Sequence, residues 1–219
     1  MKNIDHVLYY YQQIRPYYAQ QVNILELGAG TGQFEESREN REAKVWGIDL
    51  DERVKENTNV DVPIIASLEN YEVPAEHFSL ACSKFVFEHI SDPIPVLNLA
   101  YKSLKPGGKL IIVTVNKWHY AAILSRILPE KIIEKFVNRD EEDIFPTLYR
   151  FNCPFSIGKI VEASDFGVSA DVKIEMCERH LYTNFFITRW LSKCYSAIVN
   201  TSDLLANLRA GLIVEITKK

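Results

Sequence analysis

Five short apolar segments recur between residues 22 and 115, separated by polar or helical stretches. Their sequences are VNILELG, AKVWGIDL, VPIIAS, FSLACSKF and GKLIIVTV. Because they are mostly continuous apolar runs rather than strict alternations, they are typical of strands covered by helices on both faces. Their alternation with helical segments indicates βαβ units and predicts an α/β fold around a doubly wound, mostly parallel sheet.

The rhythm changes after residue 116. VSADVKIEM and AGLIVEITKK predict two further strands, and SIGKIVEASDFG predicts a helix that stops at a glycine. Longer stretches of mixed helix and loop occupy residues 117–154 and 178–208. We therefore predict a single domain over residues 1–219, with a seven-stranded sheet and helical insertions after strands five and six.

The net charge and the cysteine spacing restrict which ligands and binding partners the sequence predicts. With a formal net charge of -4 and interspersed signs, the chain gives no electrostatic reason to expect nucleic acid or an anionic membrane. The four cysteines form neither a CxxC pair nor a Cys/His cluster, so we expect free thiols and no structural zinc. No apolar run reaches the roughly 20 residues needed to span a bilayer. We expect a cytoplasmic protein with a small-molecule substrate and no stable membrane insertion, and we leave its oligomeric state open.

A glycine-rich turn follows the first strand. The run from Glu26 to Gly32 reads E-L-G-A-G-T-G, whereas the dinucleotide fingerprint would need a glycine at Gln33. An acidic residue before the turn suits a ligand with a cationic amino group better than a pyrophosphate. Asp49 ends the second strand, about 20 residues after the first glycine, where a carboxylate can accept hydrogen bonds from ribose hydroxyls.

The segments ILELGAGTGQF, VWGIDL, FSLACSKFVFEHISDP and LKPGGKLIIVTVN occur in an order and spacing that resemble the class I S-adenosylmethionine-dependent methyltransferases, in particular the type 11 small-molecule group. The resemblance covers residues 22–116 and implies a Rossmann-like fold, S-adenosylmethionine as the cofactor and methyl transfer as the reaction. It also implies that residues 1–21 form a lid helix, with Tyr11 and Tyr18 as possible contacts. The cofactor-binding residues it implies on the first two strands are Glu26, Gly28, Ala29, Gly30, Gly32, Asp49 and Leu50.

The resemblance also assigns residues after the third and fourth strands. Family members carry an acidic residue near the adenine amino group, and here alignment places Ser67, with Leu68 beside it, at that position. Ser83 and Phe85 fall where the chain passes the methionine half of the cofactor. Lys84 stands between them, and we expect it to turn outward because a buried cation would repel a sulfonium.

Two histidines are candidates for a general base. His89 follows Glu88 in FVFEHISDP, and we favour a structural role for this pair over proton transfer. His119 directly follows the fifth strand and is our first candidate for substrate contact or proton acceptance. Tyr149, Arg150 and Asn152, in FPTLYRFN, are candidate substrate contacts because this segment resembles one found in related methyltransferases.

The sequence therefore predicts metal-independent methyl transfer to a small molecule, with a hydroxyl oxygen as the favoured acceptor. One alternative is a methyltransferase-like module that binds the cofactor without catalysis and acts as an interaction partner. It remains open because the segment TGQFEESRENREAKV has a thin apolar face and Ser67 replaces the usual acid, whereas the intact Glu26, the three glycines and Asp49 argue against it. The segment DERVKENTNVDV is also short and polar for a full crossover helix.

A membrane-associated enzyme and an oxidoreductase have less support in the sequence. A peripheral membrane enzyme could use FFITRWLSKCYSAIV as an interfacial helix, with Arg189 and Lys193 on its polar side, but we favour packing of that helix in the core. An NAD-dependent oxidoreductase is disfavoured by Gln33.

Overall fold

A computed structural model describes residues 5–32, 41–128, 146–178 and 186–219. The described strands form one seven-stranded sheet in the order β3-β2-β1-β4-β5-β7-β6. Strands β1 to β5 pair in parallel, and β7 runs antiparallel between β5 and β6. The strands are Asn23–Leu27 (β1), Lys44–Asp49 (β2), Val62–Ile65 (β3), Phe78–Lys84 (β4), Leu104–Val115 (β5), Asp171–Cys177 (β6) and Gly211–Thr217 (β7). The predicted α/β fold with a mostly parallel sheet is confirmed.

The described helices cover both faces of the sheet. One buried cluster joins α1 to β1, β4 and β5, and the other packs α2 and α4 against the opposite face. The helices are His6–Tyr18 (α1), Pro93–Ser103 (α2), Tyr120–Ile127 (α3), Pro154–Ala163 (α4) and Phe186–Val199 (α5). The described residues also form two 3₁₀ helices, Glu52–Glu56 and Asp203–Leu208.

The crossovers at the start of the sheet are polar and short. The connection from β2 to β3 holds a single 3₁₀ helix, Glu52–Glu56, as its length and polarity suggest. The thin first helix predicted between β1 and β2 falls on residues 33–40, which lie outside the described residues. The predicted Pro-Gly linker at 104–108 belongs to β5 instead, because α2 ends at Ser103 and pairing with β4 begins at Leu104.

Helix α5 does not pack as the core helix that its apolar content suggests. Its buried face carries small side chains, including Ser196, whose hydroxyl donates to Glu178 Oε1 at 2.8 Å. Its outward face carries Phe186 and Trp190, which are 83% and 58% exposed. The described side chains thus depart from the predicted core packing, because the buried ones are Ser192, Ser196 and Val199, whereas Leu191 and Ile198 are also exposed. No described helix is long and apolar enough to cross a membrane.

The N-terminal helix α1 is attached at both of its ends. Near its start, the Tyr9 hydroxyl donates to Glu175 of β6 at 2.7 Å, and the side chain of Asp5 caps the helix. Near its end, the carbonyl of Tyr18 accepts the backbone N–H groups of Glu42 and Ala43. The helix therefore lies across one face of the sheet, against β4, β5 and β7.

Candidate functional site

A cavity of about 460 Å³ opens at the carboxyl ends of β1, β2 and β4, beneath α1. This is the edge at which doubly wound sheets bind ligands. The cavity is lined by three groups of residues: Tyr10, Tyr11, Ile14 and Tyr18 from α1; Glu26, Gly28, Ala29, Gly30, Thr31, Gly32, Asp49, Leu50, Asp51, Arg53, Asn57 and Asn59 from the first two strands and their loops; and Ser67, Leu68, Glu69, Lys84, Phe85, Val86, His89, Ile90 and Ser91 from beyond β3 and β4.

The glycine turn fits tightly between two neighbouring segments. Gly28 has a φ of +73°, and a Cβ built on it would lie 2.2 Å from Cγ2 of Val86. Its N–H donates to the carbonyl of Ile48 at 2.8 Å, which ties the turn to β2. Only glycine combines this φ with such a close approach, so the first glycine of the turn is required by packing.

Asp49 is held at the end of β2 by the backbone of both adjacent loops. Its Oδ2 accepts the N–H of Gly30 at 2.8 Å, and its Oδ1 accepts the N–H of Asp51 at 2.9 Å. The next residue, Leu50, lines the cavity and is 68% exposed. The carboxylate is thus fixed in direction, and an apolar side chain beside it is available to cover a flat ring.

Asn57 supports the glycine turn, a role that the sequence did not suggest. It is buried, and its Nδ2 donates to the carbonyl of Ala29 at 2.9 Å. Its Oδ1 accepts the N–H of Asn59 at 2.9 Å, which closes the short loop after the 3₁₀ helix. A single buried amide in this crossover therefore supports the turn from below. An Asn directly after a short polar helix carries no recognisable signature of this role.

A pair of opposite charges lines the cavity under α1. Burial raises the pKa of Glu26 to about 7, an effect that the positive charges of Lys84 and Arg41 oppose. Lys84 points into the cavity, where its Nζ donates to the Tyr11 hydroxyl at 2.9 Å. The expectation that Lys84 turns outward was wrong, because Tyr11 and the charge of Glu26 compensate for its partial burial.

Of the residues assigned to the adenine and methionine ends of the cofactor, some line the cavity and one does not. Ser67, Leu68 and Phe85 line the cavity, whereas the hydroxyl of Ser83 faces the sheet interior and donates to the carbonyl of Leu27 at 3.0 Å. Placing Ser83 in the site is therefore corrected, because its side chain is fully buried. An acidic residue is also present in the turn that follows the third strand: Glu69 lines the cavity two residues after the aligned position.

Of the two candidate bases, only His89 reaches the cavity. Its Nδ1 lies 3.1 Å from the carbonyl oxygen of Pro146. Its neighbour Glu88 is buried away from the cavity lining, where Oε2 accepts the Thr114 hydroxyl at 2.8 Å and burial raises its pKa to about 7. The two residues therefore have different roles: Glu88 stabilises the loop, and His89 lines the cavity.

His119 lies in a separate buried cluster. It caps the N-terminus of α3, and its Nε2 is 3.7 Å from Oε1 of Glu178. Its ring also packs edge-on against Tyr195, at 5.3 Å between centroids. The expectation that His119 meets the methyl donor is corrected, because these contacts turn its ring toward α5 rather than toward the cavity.

The three predicted substrate contacts also lie outside the cavity lining. Asn152 is fully buried, and its Nδ2 donates to Thr114 Oγ1 at 2.8 Å and to the carbonyl of Val115 at 2.7 Å. The Tyr149 hydroxyl is 3.2 Å from the Ser125 hydroxyl on α3, and Arg150 is exposed. These expectations are corrected: the segment braces the first insertion against β5.

Comparison with known proteins identifies the family of this chain. A family model described as a methyltransferase domain matches residues 6–144. The chain belongs to this methyltransferase-domain family. The resemblance to class I S-adenosylmethionine-dependent methyltransferases of the type 11 group is thereby confirmed.

The curated relatives that resemble this methyltransferase domain include O-methyltransferases. Ubiquinone biosynthesis O-methyltransferases from Hydrogenovibrio crunogenus and Pseudomonas fluorescens are 26% and 28% identical over 139 and 129 residues. Each match covers 55% of this chain, and 58% and 55% of the respective relatives. The chain thus spans about half the length of the curated relatives it matches.

Solved structures share the fold of this methyltransferase domain. A SAM-dependent methyltransferase from Archaeoglobus fulgidus superimposes with a TM-score of 0.61 at 17% identity, covering 98% of this chain and 95% of that one. A SAM-dependent methyltransferase from Thermotoga maritima, described as a possible histamine N-methyltransferase, gives 0.59 at 19% identity, covering 98% and 91%. At such identities the likeness shows the fold alone.

Proposed function

We propose that this methyltransferase domain binds S-adenosylmethionine and transfers its methyl group to a hydroxyl oxygen of a small molecule. The observation that carries the proposal is the order of groups along one cavity. An acid at the end of β1, a backbone-held acid at the end of β2 and an exposed leucine beside it follow one another across the sheet edge. This order corresponds to the amino, ribose and adenine parts of the cofactor.

The dimensions and chemistry of the cavity support this fit. Its volume of about 460 Å³ lies within the range of small-molecule sites. Glu26 supplies a carboxylate for the ammonium group, and Asp49 presents a carboxylate that two N–H groups already orient for a diol. Leu50 would lie against the adenine ring, and its exposed side chain would lose contact with water there.

The main catalytic contribution required of the protein is to align the acceptor with the methyl group of the cofactor. The bound cofactor supplies an electrophilic methyl group, so correct placement of the acceptor provides much of the acceleration. Helix α1 covers the cavity and excludes water from one side. A hydroxyl acceptor must also lose its proton, and His89 is the candidate base. If Nδ1–H donates to the carbonyl of Pro146, Nε2 carries the lone pair that accepts this proton.

An oxygen acceptor is supported by the names of curated relatives such as those from Hydrogenovibrio crunogenus and Pseudomonas fluorescens, which are O-methyltransferases of ubiquinone biosynthesis. We therefore include phenols and catechols among the acceptors to be tested. We also expect activity to persist in the presence of EDTA.

The test combines binding with turnover. Titration calorimetry should detect S-adenosylmethionine and S-adenosylhomocysteine at micromolar concentrations, and methyl-labelled cofactor should transfer label to at least one hydroxyl compound of the panel. His89→Gln should lower kcat by about 10²- to 10⁴-fold, as expected for loss of a general base, with little change in cofactor affinity. His77→Gln is the control, because His77 packs against Trp46 and does not line the cavity.

Two results would count against this function, and a third would change only the assignment of the base. Absence of binding at millimolar cofactor would refute it. Binding without transfer to any acceptor would favour the non-catalytic module instead. Full activity of the His89 variant would remove His89 as the base and leave alignment alone as the chain's contribution.

A further inference from the structure

The lysine inside the cavity is the feature that the cofactor motifs do not explain. Lys84 is the last residue of β4, and it lines the same cavity as Glu26. A cation at this place would weaken the binding of a cationic ligand unless an anionic part of that ligand meets it. The only anionic group of S-adenosylmethionine or S-adenosylhomocysteine is the α-carboxylate.

We infer that Lys84, positioned by Tyr11, binds the α-carboxylate of the cofactor while Glu26 binds its α-ammonium group. The inference rests on the proposed cofactor binding and adds a role that the shared motifs do not assign. Together the two side chains would form a cradle for a zwitterion, with one charge from each of two adjacent strands.

The sheet register places the two charges side by side. Glu26 of β1 pairs with Cys82 of β4, and the two point to the same face because paired residues in a sheet share a face. Lys84 is two residues beyond Cys82 and therefore points to that face as well. This is also the face covered by α1, where Tyr10 and Ile14 pack on the strands.

Tyr11 sets the position of the ammonium group. Nζ of Lys84 is 2.9 Å from the Tyr11 hydroxyl and 5.4 Å from the centre of the ring. The two distances together place the ammonium at the hydroxyl edge of the ring rather than over its face. The phenol thus orients the lysine by a hydrogen bond, and both residues line the cavity.

The electrostatics of the cavity agree with an anionic guest. Burial lowers the pKa of Lys84 to about 8, against the opposing effect of Glu26. Burial likewise raises the pKa of Glu26 to about 7. Each charge is thus destabilised by desolvation, and a zwitterion placed between them would add a counter-charge beside both.

The experiment compares two ligands that differ only in the carboxylate. Titration calorimetry at pH 7.5 would measure S-adenosylhomocysteine and its analogue in which hydrogen replaces the carboxylate, with the wild-type chain and with Lys84→Met, Lys84→Arg and Lys105→Met. Lys105 is exposed and lies outside the cavity, so Lys105→Met controls for loss of one positive charge. Thermal unfolding of each variant checks that it folds.

We expect Lys84→Met to weaken S-adenosylhomocysteine binding by about 10- to 100-fold, the range for loss of a charge-assisted hydrogen bond. Binding of the decarboxylated analogue should not weaken, so the preference for the carboxylate should shrink toward one. Lys84→Arg should keep part of that preference, and Lys105→Met should keep all of it. Should Lys84→Met fail to fold, Tyr11→Phe provides the second test and should reduce the preference by a smaller factor.

Two outcomes would overturn the inference. Equal weakening of both ligands in Lys84→Met would mean that the lysine acts through the packing of α1, and an unchanged preference would mean that the carboxylate lies elsewhere. Both would leave the proposed function intact, because the wild-type chain would still bind S-adenosylhomocysteine. If the wild-type chain bound neither ligand, the proposed function would be refuted, and this inference with it.

Discussion

Replacement of Gly28 by alanine tests how closely the glycine turn fits against the loop after β4. The added Cβ would lie 2.2 Å from Cγ2 and 2.9 Å from Cγ1 of Val86. Overpacking of this kind costs typically about 1–3 kcal/mol. The φ of +73° adds about 1 kcal/mol, because an L-residue is disfavoured there. We expect Gly28→Ala to lower the free energy of unfolding by about 2–4 kcal/mol.

Gly107→Ala is the matched control. Gly107 has a similar φ of +76°, but a Cβ there would meet nothing within 4 Å. Gly107→Ala should lower the free energy of unfolding only through the unfavourable backbone conformation, by about 1 kcal/mol. Urea unfolding followed by tryptophan fluorescence would measure both variants, since a change in the midpoint at constant slope reports a change in stability.

A second substitution separates the clash from the remaining effects of the alanine. Val86→Ala removes both methyl groups that the new Cβ would meet, at a cost of about 1 kcal/mol for a half-buried valine. In the double variant Gly28→Ala/Val86→Ala, the methyl contacts at 2.2 and 2.9 Å are removed and only the 3.1 Å contact with Cβ of residue 86 remains. The total loss should therefore be at least about 1 kcal/mol smaller than the sum of the single losses. Strict additivity, or a Gly28→Ala cost no greater than that of Gly107→Ala, would refute the reasoning.

Three further predictions concern the same cavity. Burial raises the pKa of Glu26 from 4.5 to about 7, so the folded chain holds a proton that the unfolded chain releases. The free energy of unfolding should therefore fall as pH rises from about 4.5 to about 7. In urea unfolding, the stability of Glu26→Gln relative to wild type should increase by about 1–3 kcal/mol between pH 4 and pH 8. A difference that does not change with pH would contradict the raised pKa of Glu26. Asn57→Ala should lower the unfolding free energy by about 1–3 kcal/mol, because the buried carbonyl of Ala29 loses its donor, and a change below about 0.5 kcal/mol, as for an exposed substitution, would argue against that support. Leu50→Ala should weaken S-adenosylhomocysteine binding about 5- to 10-fold in calorimetry with unchanged thermal stability, and equal affinity would show that the ring lies elsewhere.

The strands of the sheet could be predicted from the sequence because each one coincides with its own apolar segment. Each of the seven predicted strand segments overlaps one of the observed strands, since a continuous apolar run needs no distant partner to be recognised. The residues of the glycine turn and Asp49 were located for the same reason. Turn and strand end are adjacent in sequence to the elements that position them.

The direction in which a single side chain points was harder to predict from the sequence, because it depends on partners that are distant in the chain. Lys84 enters the cavity on account of Tyr11, which is 73 positions away. Asn152 turns inward to reach Thr114, 38 positions earlier. His119 faces Glu178, a residue beyond β6. Polar side chains in an insertion can serve a ligand or brace the fold, and residue type alone does not separate the two.

The double attachment of α1 has a consequence for synthesis of the chain. The helix is synthesised before every strand of the sheet, yet it packs against β7, and Gly211 at the start of that strand approaches the ring of His6. β7 must insert between β5 and β6 before Tyr9 can be fixed on the sheet by Glu175. Contacts between such distant parts of a sequence form slowly. A nascent chain would thus carry an uncovered ligand edge until its seventh strand is made, and cofactor capture would mark the closure of this sheet.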